Sequence, residues 1–277
     1  NINAPKISVT KKDGTQVPLD IDRLASVVNH ACDGLEDVSA DAILEESIKN
    51  LYDGVSVSDM KSALVMSART KVEQEPNYSY VTARILLDEL RSEALSFLGI
   101  AEESSHPEMQ EYYPKAFSAY IEKGIELEML DPTLKDFDLK MLGEAIEHDR
   151  DYQFTYLGLQ TLYDRYFIHY QDTRYELPQI FFMRVAMGLA VEEEKKEERA
   201  IEFYRLLSSF DYMSSTPTLF NSGTLRPQLS SCYLTTIPDD LDGIFGAMKD
   251  NALLSKWAGG LGNDWTPVRG LGSQIKG

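Results

Sequence analysis

Cysteine is scarce in this sequence, with two in 277 residues, Cys32 and Cys232. Two thiols so far apart exclude a disulfide framework and a cysteine-built zinc site, and a reducing cytoplasm is the expected compartment. Basic residues are also few, 27 Lys and Arg against 45 Asp and Glu, for a net charge of −18. That balance argues against nucleic acid or an anionic membrane as partners. No stretch approaches the roughly 18 apolar residues of a membrane span, and no basic-then-apolar leader opens the chain. Internal repeats and low-complexity tracts are absent as well. Asn1 stands where an initiator Met would, and Lys276-Gly277 closes the sequence inside a glycine-rich stretch. Both ends lead us to expect a piece of a longer polypeptide.

What is present is sharply patterned. Residues 7–20 read as a hairpin, with Asp13-Gly14 as its turn and Pro18 marking an edge strand. Four helical stripes of 3.6-residue period follow, opening at Asp22, Ser39, Ser58 and Tyr78, the last running to Leu98. Gly99–Pro107 is polar and reads as a boundary. Helices are expected at 107–130, 136–148, 176–191 and 193–209, with short strands at Tyr163–Ile168 and Arg174–Leu177. The charged run Glu192–Glu198 reads as a solvated helix or turn. From Met213 onward Pro, Gly, Ser and Thr increase. Leu229–Thr236 reads as a buried strand and Asp240–Trp257 as a helix, the texture of an α/β barrel or sheet. The fold class is therefore mainly α, in three parts: 1–98, 99–212 and 213–277.

Four motifs carry candidate chemistry. Lys11 and Lys12 beside the hairpin turn could hold a phosphate, although a solvated tip is the simpler reading. Thr216-Pro217-Thr218 precedes Ser230-Ser231-Cys232, which by itself reads as a turn and a strand with a buried thiol. Pro238-Asp239-Asp240-Leu241 is a helix N-cap in any fold. Gly259-Gly260-Leu261-Gly262 fits neither a phosphate-binding Walker loop nor a dinucleotide fingerprint; close backbone packing explains it equally well.

Taken together, the order of these segments resembles the large, catalytic subunit of class I ribonucleotide reductase. The hairpin, Leu19–Leu24, Tyr52-Asp53-Gly54 with Ser58-Asp59, and Tyr80–Arg84 resemble its ATP-cone, a β-hairpin lid on a four-helix bundle. A helical domain would follow, then the first strands of a ten-stranded α/β barrel. In the cone, Lys11, Lys12 and Arg23 stand at basic nucleotide contacts. Val57 replaces a Thr, Ser92 replaces a Lys and Val17 replaces a polar residue. An isopropyl group cannot hydrogen-bond and a hydroxyl carries no charge. The expectation is a cone complete in fold but closed to nucleotide, with room upstream for an active second cone.

In the barrel, the resemblance gives Thr218 the substrate diphosphate, Ser231 the ribose, and Cys232 the role of one of two thiols that deliver reducing equivalents. Cys32, at a helical core position, reads as packing. Asp239, Asp240 and Leu241 would meet an effector's ribose and base, with Arg269 and Lys276 on its phosphates, in a specificity site shared by a homodimer. The resemblance further implies reduction of ribonucleoside diphosphates by a radical imported from a metal-containing small subunit, and thioredoxin or glutaredoxin as reductant. No cofactor or metal is expected on this chain itself, with ATP and deoxynucleotides acting only as effectors. The second redox thiol, the thiyl-radical cysteine and the radical-relay tyrosines would lie beyond residue 277, so the chain alone is expected to be inactive. The alternative is a regulatory or interaction module that mediates subunit association without binding nucleotide at its cone. A nucleotide-sensing repressor would pair the cone with a zinc ribbon, for which the cysteines are missing.

Overall fold

The computed structural model describes residues 3–257 and 259–274. Its elements pack into two compact units, Asn1–Met213 with Gly223–Leu225, and Ser214–Ser222 with Arg226–Gly277.

The first unit opens with β1 (Ser8–Thr10) and β2 (Gln16–Pro18), paired antiparallel with Val9 opposite Val17. Next come α1 (Ile21–Cys32), α2 (Ala40–Lys49), β3 (Val55–Ser56), α3 (Val57–Arg69) and α4 (Tyr78–Phe97). The sheet order is β2-β1-β3, so Pro18 does lie on an edge strand, where its missing N–H costs no ladder bond. The short parallel strand β3 was not anticipated; two residues carry no periodicity to read. Side-chain caps start the first three helices. Asp20 accepts from Arg23 N, Ser39 from Ala42 N, and Ser56 from Asp59 N. The cap of α3 is thus Ser56 and not Ser58, which is exposed on the helix surface. Leu24, Val28, Ile43, Leu44, Leu64, Val81, Leu87 and Leu95 form the core of this bundle, all buried. Burial of each such side chain contributes about 1.5–3 kcal/mol.

A second helical set packs onto α4: α5 (Met109–Glu126), a 3-10 helix at Pro132–Asp136, α6 (Leu139–Glu144), a second 3-10 helix at His148–Gln153, and α7 (Tyr156–Arg165). Then follow the two-residue strands β4 (His169–Tyr170) and β5 (Thr173–Arg174), then α8 (Pro178–Ala190) and α9 (Lys196–Ser208). Three expectations fail here, one of them the strand foreseen at Arg174–Leu177, of which only Arg174 lies in β5. The helix foreseen over 136–148 is only α6, with short 3-10 helices on either side. Tyr163–Ile168 is no strand: its first half ends α7, whose aromatic and threonine residues mimic strand composition. Helix α8 is buried nearly all round, through Ile180, Phe181, Phe182, Met183, Val185 and Met187. Pro178 sits in its first turn, where no intrahelical donor is needed.

Polar groups also lie inside this unit. Arg91 of α4 donates to Asp151 at 2.9 Å, and the two side chains are 3% and 0% exposed. Asp151 also accepts from Tyr113 Oη at 2.8 Å and Gln179 Nε2 at 2.9 Å. Arg184 makes a forked pair with Glu176 at 2.8 and 3.1 Å, and Tyr120 donates to the same carboxylate. Gly223 rests against this arginine. Its φ is +78°, and a Cβ there would lie 2.9 Å from Arg184 Cγ and from the Arg184 carbonyl oxygen, so only glycine fits both demands.

The second unit holds α10 (Thr216–Asn221), β6 (Cys232–Thr236), α11 (Leu241–Lys256) and β7 (Gly260–Asp264). Strands β6 and β7 are parallel, with Cys232 opposite Gly260 and Thr236 opposite Asp264. This is the strand–helix–strand crossover that starts an α/β barrel. The expected turn at Thr216 is helical, with Pro217 in its first turn. Strand β6 begins at Cys232 rather than Leu229, and its residues alternate between exposed and half-buried instead of being buried.

Candidate functional site

The link between α10 and β6 is pinned by two side chains of α10. Thr218 Oγ1 donates to the carbonyl of Leu229 at 3.2 Å, and Asn221 Nδ2 donates to that of Gln228 at 2.7 Å. These bonds hold the segment leading into β6 against α10. Cys232 opens the strand with an exposed thiol, and Ser231 Oγ lies 3.6 Å from its sulfur. Tyr233 braces the same segment: its hydroxyl donates to Ser230 O at 3.1 Å and accepts from Gln228 Nε2. Gly259, just before β7, is spatially required here, and Gly260 lies close to the thiol. A Cβ at Gly259 would come within 2.9 Å of the Tyr233 ring, and one at Gly260 within 3.5 Å of the Cys232 sulfur. The glycine run therefore serves close packing of backbone beside the thiol. The result is an accessible thiol with a hydroxyl beside it.

The second cluster lies at the start of α11. Asp240 caps the helix, accepting from Gly243 N at 2.7 Å, while Leu241 is exposed. Asp239 accepts from the backbone N–H of Arg269 at 3.2 Å and from its Nε at 2.9 Å. The backbone N–H of Arg269, then its guanidinium, hold the Asp239 carboxyl below the usual value. Asp239 and Arg269 are thus paired with each other. Lys276 lies outside the described residues.

In the cone, Lys11 and Lys12 are exposed at the hairpin tip. Arg23 is bound to Asp88 at 2.8 Å and Glu103 at 3.2 Å. Ser92, standing where a lysine was expected, accepts from Lys61 Nζ at 3.1 Å. The sequence reading singled out none of Lys61, Asp88 or Glu103. Only a helical wheel laid over both α3 and α4 would have placed Lys61 near Ser92. Cys32 is half-buried on α1, and burial, aided by Asp33, pushes its thiol up to about 11, so it stays protonated at neutral pH.

Among the described residues, His106, His148 and Asp149 bring their ligand atoms within 4.8 Å of one another. Their hydrogen bonds argue against a metal. Arg91 Nη2 lies 2.9 Å from His106 Nδ1, which must accept, so the ring proton sits on Nε2 and points at Asp149, 2.9 Å away. A metal on Nε2 would force that proton onto Nδ1, toward a guanidinium.

Comparison with known families fits this arrangement segment by segment. Residues 7–93 match the ATP cone domain, 152–227 the all-alpha domain of ribonucleotide reductase, and 230–277 its barrel domain. The α subunit of ribonucleoside-diphosphate reductase from Chlamydia muridarum is 45% identical over 271 residues, 97% of this chain and 25% of that protein. Over this span the chain belongs to the ribonucleotide reductase large-subunit family. The Helicobacter pylori α subunit (strain 26695) is 38% identical over 98% of the chain and 33% of its own length. The large chain from Schizosaccharomyces pombe is 33% identical over 97% of the chain and 32% of its own length. The chain thus spans a quarter to a third of these reductase subunits. It carries a cone, all-alpha segment and barrel start, in the order that the sequence patterns suggested. Among the described residues, no helix is long and apolar enough to cross a membrane.

Proposed function

We propose that this chain is the regulatory and substrate-entry portion of a ribonucleoside-diphosphate reductase large subunit, with Cys232 as one of its two redox thiols. The exposed Cys232 thiol at the start of β6, with the Ser231 hydroxyl beside it, is the observation that carries this reading. In the proposed reaction the ribose 2'-hydroxyl leaves as water. Two thiols supply two electrons and two protons and end as a disulfide. Cys32, held protonated by burial, is not suited to be the second thiol. The second thiol would then not be Cys32, the other cysteine of this sequence, so the 277-residue chain alone is expected not to turn over. Thr218 would hold the diphosphate through its hydroxyl, and Ser231 would meet the ribose.

Asp239 and Arg269 would serve the specificity effector across a homodimer, Asp240 and Leu241 lining the same turn and Lys276 adding a further phosphate contact. The cone keeps its fold but is closed to nucleotide, because Arg23 is engaged by carboxylates and Val17, Val57 and Ser92 offer no charged contact; Lys11 and Lys12 at the tip would not suffice. Here the cone works as an interaction module. A radical-generating small subunit, thioredoxin or glutaredoxin, and a cytoplasmic setting complete the proposal, with no cofactor on this chain. The test is a single turnover of the full-length enzyme without external reductant, followed by peptide mapping. A disulfide containing Cys232, formed in step with product, is expected; a reduced Cys232 after product formation would refute the assignment.

A further inference from the structure

Arg23 of α1 and Lys61 of α3 meet over one residue of α4. The Arg23 guanidinium donates to Asp88 Oδ1 at 2.8 Å, and Lys61 Nζ lies 3.8 Å from Asp88 Oδ2. Asp88 therefore bridges two cations, as an oxygen of a bound phosphate would. Its side chain is 15% exposed. The outer flank of Arg23 is taken by a second carboxylate, Glu103, at 3.2 Å. Glu103 belongs to the connector between α4 and α5, and its side chain is 59% exposed. Two cations thus face two carboxylates and their charges cancel. Beside them, burial pushes the Glu89 carboxyl up, with Lys61 opposing the shift.

We propose that Glu103 is a displaceable intramolecular counter-anion, which closes the Arg23–Lys61 cleft to phosphate-bearing ligands and ties the connector to the cone. The inference rests on the reading of a closed cone and names what closes it. Asp88 is held from two sides and stays in place. Glu103 is exposed and has a single partner, so it is the member an incoming anion can displace. Removing its charge shifts the local balance around Arg23 and Lys61 by one unit toward positive. An exposed ion pair is worth little, so the gain in anion affinity is limited to about threefold to fivefold.

The test uses isothermal calorimetry with inorganic tripolyphosphate at low ionic strength, where such pairs are least screened. The 277-residue chain is compared with Glu103→Gln and with Arg23→Gln/Glu103→Gln, circular dichroism confirming that each is folded. Glu103→Gln is expected to bind about threefold to fivefold tighter than the parent, and the double variant to lose that gain. Equal affinities for the parent and Glu103→Gln, or a gain that survives loss of Arg23, would overturn the latch while leaving the cone closed. Micromolar binding of ATP at Arg23 in the unaltered chain would overturn both the latch and the closed-cone reading.

Discussion

Replacing Asp151 by alanine gives the sharpest test of what holds the cone to the helical segment. Its carboxylate accepts from Arg91, Tyr113 and Gln179, all inside the protein. Arg91 comes from the last helix of the cone, whereas Asp151 sits in the 3-10 helix at His148–Gln153. The substitution leaves the Arg91 guanidinium buried at 3% exposure with no counter-charge on that side, and takes away the acceptor of the Tyr113 hydroxyl proton. Breaking one side of a buried ion pair costs about 3–5 kcal/mol, more than the neutral hydrogen bonds alone would. For a unit of this size that corresponds to a fall in Tm of roughly 6–20 °C. A thermal melt followed by far-ultraviolet circular dichroism at pH 7 reads it directly. Adding Arg91→Met should restore part of the loss, because the stranded charge leaves with it. A Tm within about 2 °C of the parent would show that the pair does not hold this junction.

Two further outcomes follow from the same structure. With iodoacetamide at neutral pH, mass spectrometry should find Cys232 alkylated well before Cys32, since the latter is half-buried with its thiol raised to about 11; faster labelling of Cys32 would contradict the burial argument. Burial and the Arg91 guanidinium hold the His106 ring below its usual value of 6.5. The folded state therefore resists the proton that the unfolded chain takes up. Stability is full above about pH 6.5 and falls as the pH drops below it. Urea midpoints between pH 7 and 5 should show that fall, reduced in His106→Gln; an unchanged slope in the variant would contradict the assignment to His106.

Sequence pattern carried the fold where elements are long and one-sided. The α4 stripe of Val81, Ile85, Leu86, Leu90 and Leu95, and the capping residues Ser39 and Asp240, encode their helices locally, whereas the first helix is capped by Asp20, two residues before the expected opening at Asp22. Short elements escaped: β3 and the 3-10 turns at Pro132 and His148 are too brief to show a period. Thr216-Pro217 was misread because proline in a first turn and proline in a loop look alike in sequence. At the barrel start, strand β6 and helix α11 were legible, whereas the Thr218–Leu229 bond that ties α10 to the segment before β6 was not. Partners of charged groups were not legible. Arg23 finds Asp88 and Glu103, and Arg91 finds Asp151, across long stretches of chain. Nothing local marks such a pair, since its stability comes from burial and geometry created only on folding.

The central claim is that Cys232 is a redox thiol of a ribonucleotide-reducing enzyme. Its most direct measurement is deoxyribonucleoside diphosphate formation by the full-length enzyme carrying Cys232→Ser, with its small subunit and a dithiol reductant. Serine keeps the shape of the side chain but cannot form a disulfide. Turnover is expected to drop to background while the thermal melt stays unchanged; sustained turnover by the serine variant would contradict the account.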